Sequence, residues 1–167
     1  MDFFGRRFLI LAISLGCMGT TYAADLAVVG AWKLISYARE DAVSGETTRP
    51  WGENPSGYLM YLPDGHMSAV LTSEGRKSVP STDEKQVAQL FFSMAAYAGT
   101  YTVEGDTVVH HVEVAWLPNW VGSDQPRQAK LEGNALTIRT QPIRSRLDGK
   151  DYIYTLVWKR ASDVAEK

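Results

Sequence analysis

Along most of the chain, apolar and polar residues alternate in short runs broken by turn residues, which is the period of strands that bury one face. The alternation predicts strands over 31–39, 57–62, 66–72, 99–104, 107–116, 127–132, 135–140 and 152–160, about eight in all. Pro63-Asp64-Gly65, Glu104-Gly105-Asp106, Glu132-Gly133-Asn134 and Asp148-Gly149 stand between runs, and their Gly, Asn and Asp residues tolerate the positive φ of tight turns. Strands joined this way run up and down. One stretch departs from the pattern: Val87, Leu90, Phe91, Met94 and Ala98 recur at helical spacing, behind a Ser81-Thr82-Asp83-Glu84 capping box. An amphipathic helix is therefore expected over 82–98, covering an end or flank of the barrel that such a meander can close into.

The first residues follow a different logic. Arg6 and Arg7 precede an apolar run over 8–16, and small and polar residues lead from there to Tyr22-Ala23-Ala24. This is the order of a secretory signal peptide over 1–23, cleaved after Ala23 so that Thr21 and Ala23 occupy the two small-residue positions, with one domain over 24–167. The run is too short for a transmembrane segment, and no second such run follows, so a periplasmic or secreted location is expected. The lone Cys17 follows Gly16, which opens an alternative: a membrane-anchored lipoprotein with its lipid anchor at Cys17. Cleavage after Ala23 leaves no cysteine, and the domain then depends on its core and not on disulfides.

Charge narrows the partners. The chain carries −2, and Arg6 and Arg7 against Asp2 give the leader +1, leaving −3 for residues 24–167. A mildly acidic domain has no electrostatic case for nucleic acid. The chain also lacks a nucleophile elbow, a phosphate-cradling glycine loop and a dinucleotide fingerprint, so no cofactor is expected.

Several motifs converge on one family. Gly30-Ala31-Trp32 opens the first strand as the Gly-x-Trp signature opens lipocalins, and Trp158-Lys159-Arg160 closes the last strand where lipocalins place an arginine against that tryptophan. Between them stand Gly57-Tyr58-Leu59-Met60-Tyr61, Asp64-Gly65-His66-Met67-Ser68, Tyr97-Ala98-Gly99-Thr100-Tyr101, His110-His111-Val112-Glu113, Pro118-Asn119-Trp120-Val121-Gly122 and Gln125-Pro126-Arg127. The sequence resembles the bacterial and fungal lipocalin-like domain family. The resemblance implies an all-β fold: an up-and-down lipocalin-like antiparallel β-barrel of about eight strands with one inserted amphipathic α-helix. It leaves activity to be argued from residues, because one fold hosts many functions.

Strand parity places His110 with Val108, Val112, Val114 and Trp116 on the inward face, and His111 with Val109, Glu113 and Ala115 outside. An inward His110 is either a buried neutral ring satisfied by a carbonyl or tyrosine, or a group that bonds a ligand or exchanges a proton. Arg127 shares a face with Ala129 and Leu131, opposite Gln128 and Lys130, which directs it inward toward a carboxylate or an anionic ligand; a place at the strand mouth is the alternative. Trp116, Pro118 and Trp120 surround the end of the His110 strand, and Tyr58, Tyr61, Tyr97, Tyr101, Tyr152 and Tyr154 add amphipathic rings, Tyr61 and Tyr101 foremost, suiting a small hydrophobic or aromatic ligand. His66 follows a turn and reads as a rim residue. A metal site is not expected, since adjacent His110 and His111 point to opposite faces.

These residues support a barrel that binds a small, mostly apolar ligand, with Arg127 positioned to face an anionic group on it where the ligand carries one. The alternative is a cofactor-independent enzyme of the isomerase, cyclase or hydratase type, with His110 as its catalytic acid or base. A third reading is a filled barrel presenting Trp51, Trp120 and the Pro118 loop to an envelope partner.

Overall fold

The computed structural model describes residues 28–145 and 148–163. The signal peptide and Cys17 readings lie outside the described residues. Eight long strands correspond one for one to the expected set: β1 (Gly30–Asp41), β3 (Ser56–Tyr61), β4 (His66–Thr72), β5 (Met94–Glu104), β6 (Thr107–Ala115), β7 (Asp124–Glu132), β8 (Ala135–Thr140) and β10 (Asp151–Arg160). Two-residue strands β2 (Thr47–Thr48) and β9 (Ile143–Arg144) extend the edges of loops. Each long strand pairs antiparallel with the next, and β10 pairs with β1, so the meander closes into an eight-stranded barrel.

Antiparallel order sorts the loops. The β3–β4, β5–β6 and β7–β8 connections are tight turns that gather at one end. The long segments 42–55, 73–93, 116–123 and 141–150 gather at the other. The tight end is packed shut: Trp32, Leu59, Tyr61, Val108, Leu136 and Trp158 are almost fully buried, and each aliphatic side chain among them contributes about 1.5–3 kcal/mol. The Trp32 indole donates to Val28 O at 2.8 Å, and the Arg160 guanidinium lies 4.4 Å over the Trp32 ring while donating to Val29 O. Gly30 fits beneath it with φ +138°; a Cβ there would come within 2.7 Å of the Arg160 guanidinium.

The helix is shorter than its periodicity suggests. α1 (Glu84–Phe92) starts behind Asp83, whose carboxylate accepts from Gln86 N at 3.0 Å, so the cap is Asp83 paired with Gln86. Met94 to Ala98, expected to continue the helix, instead pair with Thr72 to Ser68 of β4. There Ala95 is buried and Tyr97 reaches the interior, and a full ladder with β4 outweighs helical spacing. None of the α1 residues is buried. The helix lies across the open end.

Two irregularities change which residues face inward. β1 shifts register between Leu34 and Ser36, and the β5–β6 pairing shifts between Ala98 and Gly99, skipping Glu113. Beyond the second bulge the parity slips, so Val114, expected inside, is 61% exposed. Gly99 permits this close approach, since a Cβ there would sit 2.0 Å from His111 O.

Candidate functional site

The barrel is not filled. A cavity of about 580 Å³ occupies its open half, from Leu59, Ala69, Ile138 and Trp158 at the floor to Trp51, Phe92 and Ile143 at the mouth. The lining is mainly aromatic and aliphatic, as small-ligand sites are. Tyr37 and Trp51 stack with centroids 4.2 Å apart and planes 10° from parallel. Trp120 meets both Trp116 and Tyr97 edge on, at 4.7 and 5.4 Å. The Trp116 indole donates to Phe91 O at 3.3 Å, tying the β6–β7 loop to α1.

One cluster supplies polarity on the wall. His110, on the middle of β6, is 1% exposed; the Tyr61 hydroxyl lies 2.7 Å from its Nε2 and the Tyr97 hydroxyl 3.0 Å from its Nδ1. Burial, with smaller contributions from Arg127 and His111, lowers its pKa from 6.5 to about 3, so the ring is neutral at physiological pH. Burial also raises the pKa of both tyrosines, opposed in each case by the charge of Arg127. With both ring nitrogens engaged, any proton exchanged between His110 and a cavity ligand passes through Tyr97.

Arg127 sits next to this cluster on β7, 8% exposed, and its side chain lines the cavity. It donates to Pro126 O at 3.0 Å and to the Gln125 side-chain carbonyl. Both acceptors are neutral, and no described carboxylate forms an ion pair with it. Desolvation accordingly pulls its pKa below the usual arginine value, against the opposing influence of Tyr97 and Tyr61.

Of the residues singled out from sequence, His110, Arg127, Trp116 and Trp120 line the cavity together. Tyr61 and Tyr101 do not. Tyr61 stands behind His110, and Tyr101 packs on Tyr61 and bonds Leu62 O near the closed end. His111 faces outward, 2.7 Å from Asp124 and 3.0 Å from Thr102, and His66 pairs with Asp64 at the closed-end turn. Among the described residues no group of three His, Cys, Asp or Glu could hold a metal ion, and no helix is long and apolar enough to cross a membrane.

Sequence parity missed Tyr37, Arg39 and Trp158, which also line the cavity, as do Tyr97 and Tyr154 of the expected rings, whereas Tyr58 and Tyr152 do not. For Tyr37 and Arg39 the cause is the β1 bulge: counted straight from Trp32, both would point out.

An eight-stranded antiparallel barrel, shut at one end and hollow at the other, belongs to the class of small barrels that can enclose a ligand. The match to the lipocalin-like domain model spans residues 29–161, and the chain belongs to that family. Over 75 residues it is 35% identical to the 4′-hydroxy-3′-methoxypropiophenone carrier protein ppsC of Aspergillus oryzae, a match covering 40% of this chain and 67% of that protein. A lipocalin-like protein from Bacteroides uniformis is similar with a TM-score of 0.42 at 12% identity, over 80% of this chain and 98% of that one. A protein from Bacteroides eggerthii gives 0.38 at 11% identity, over 76% and 97%.

Proposed function

We propose that this protein is an exported carrier that holds a small, largely aromatic molecule inside its barrel. The observation that carries the reading is the cavity of about 580 Å³ with its largely aromatic lining. The volume falls in the range of small-molecule sites, roughly 300–1,000 Å³. The Aspergillus relative is named as the carrier of an aryl ketone bearing hydroxyl and methoxy groups, which makes phenols and aryl ketones the first probes. Export rests on the signal-like order of residues 1–23.

Four of the five tryptophans, Trp51, Trp116, Trp120 and Trp158, line the cavity, so an occupant should quench intrinsic fluorescence. Titration of the purified 24–167 chain with 4′-hydroxy-3′-methoxypropiophenone and simpler acetophenones is expected to give saturable quenching and a rise in melting temperature. Absence of both effects across such a panel would refute the carrier reading. N-terminal mass analysis of envelope and culture fractions checks export: a mature mass beginning at Ala24 supports it, and full-length protein confined to the cytoplasm overturns it.

A further inference from the structure

We propose that the cavity selects its ligand by an oxyanion, a carboxylate or phenolate on a small aromatic molecule, which Arg127 and the Tyr97 hydroxyl bind together. This rests on the reading of the cavity as a ligand site and specifies what that site recognises.

The first ground is an uncompensated charge. A buried guanidinium needs a counter-charge, and Arg127 finds only the neutral oxygens of Pro126 and Gln125 among the described residues. Its remaining N–H donors have no protein partner there, and the planar fork of those donors matches a carboxylate or phenolate oxygen. The titratable groups lining the cavity are Tyr37 and Arg39 from β1, Tyr97 from β5, His110 from β6, Arg127 from β7 and Tyr154 from β10. Tyr61 of β3 stands behind His110, and His111 lies on the outer face of β6. Two of the lining groups are cations and, among the described residues, none is a carboxylate. Asp148 acts on Arg39 and offsets its charge, so the uncompensated cation is Arg127, and the field beside it favours an anion.

The second ground is hydrogen-bond accounting. Tyr61 is fully buried, and His110 Nε2 is its hydroxyl's one hydrogen-bond partner among the described residues. A buried hydroxyl proton must be used, so Tyr61 donates to Nε2. A neutral imidazole then carries its proton on Nδ1 and donates it to the Tyr97 oxygen. These proton positions are assigned by that accounting. The Tyr97 hydroxyl has thus already accepted, and its own proton points elsewhere, toward an acceptor in the cavity that it lines. The chain Tyr61 to His110 to Tyr97 turns a tyrosine that could accept or donate into a donor beside Arg127. The neutrality of His110 is what this requires, and its burial maintains it.

The test uses 4-nitrophenol, whose phenolate absorbs visible light and whose phenol does not, with 4-nitrobenzoate as the carboxylate arm and 4-nitroanisole as the neutral control. A charge-assisted contact should favour phenolate over phenol by about tenfold to hundredfold, so the bound probe should ionise about one to two pH units below the free probe. Arg127→Gln is expected to abolish that shift and weaken 4-nitrobenzoate similarly, while 4-nitroanisole affinity stays within about twofold. Tyr97→Phe offers a second lesion at the site should Arg127→Gln fail to fold, and is expected to reduce the shift. Tyr61→Phe, which removes no cavity group, should also reduce it, because the His110 tautomer is then no longer fixed and Tyr97 is free to turn its proton back to Nδ1; an unchanged shift in Tyr61→Phe would overturn the relay. Equal wild-type binding of 4-nitrophenol and 4-nitroanisole without a shift would overturn oxyanion selection and leave the carrier reading standing. Binding of none of the three probes would overturn both. Tighter binding of 4-nitrobenzoate or of 4-nitrophenolate identifies which oxyanion the site prefers.

Discussion

Replacing Arg127 by methionine should make the empty protein more stable while removing part of its binding. The side chain is 8% exposed, its two bonded acceptors are neutral, and burial already destabilises its charged form. Methionine keeps the unbranched stem and removes the charge. Gln125 loses its partner but is half-buried and can turn to water, so little is left unsatisfied. Exchanging buried ionic groups for apolar residues of similar volume is commonly neutral or stabilising by 1–4 kcal/mol; with a lone cation, a gain of about 1–3 kcal/mol is expected. For a domain of this size that corresponds to a rise of roughly 2–10 °C in melting temperature. Urea denaturation read by fluorescence and by circular dichroism would measure it, with an unchanged slope showing that the unfolded state is the same. Ligand should reverse the order, because saturation at a hundred times Kd adds about 2.7 kcal/mol to the wild type and less to the variant. A loss of more than about 1 kcal/mol in ligand-free Arg127→Met would refute the reasoning, since it would mean that Arg127 is compensated within the protein and is a structural residue.

Two other outcomes follow from the same geometry. His110 has a folded pKa of about 3 against an ordinary 6.5. Above pH 6.5 the ring is neutral in both states and contributes no slope; below it the unfolded chain takes up the proton first, so stability falls with pH by up to about 1.4 kcal/mol per unit down to about pH 3. Asp41 and Asp148, held at about 2 by hydrogen bonds led by the Ser44 N–H and the Tyr152 hydroxyl respectively, begin to lose their stabilising contribution only below about pH 4. Denaturation midpoints between pH 6.5 and 4.5 should therefore decline more steeply in the wild type than in His110→Gln, and parallel profiles would refute the assignment. Gly99→Ala should cost about 3 kcal/mol or more, since its Cβ would meet the His111 carbonyl at 2.0 Å; a melting temperature within a degree or two of wild type would show that the bulge yields easily.

Period-two alternation identified all eight barrel strands because each buries one face against the interior, and that constraint is written into every strand separately. Gly30, Trp32 and Arg160 were legible through resemblance instead: they match the Gly-x-Trp start and the closing arginine that lipocalins place against that tryptophan. His110 and Arg127 could be placed inside by counting from neighbours on their own strands. The count fails where a bulge intervenes. Tyr37 and Arg39 lie beyond the β1 irregularity and Val114 beyond that of β6, and a bulge depends on how two strands meet, which neither strand's pattern records.

The limits of helix α1 have the same origin. Residues 94–98 carry helical spacing, yet β4 offers them a ladder partner, and pairing across the barrel outweighs local preference. By itself the sequence determined the strands, their antiparallel order and the presence of inward polar groups, because those follow from periodicity and turn chemistry. Only the tertiary structure decided that the barrel is hollow at one end, that Tyr61 lies behind His110 and not in the cavity, and that Arg127 has no acidic partner among the described residues. Each of these is a relation between side chains far apart in the chain, settled when closure of β1 on β10 brings their faces together.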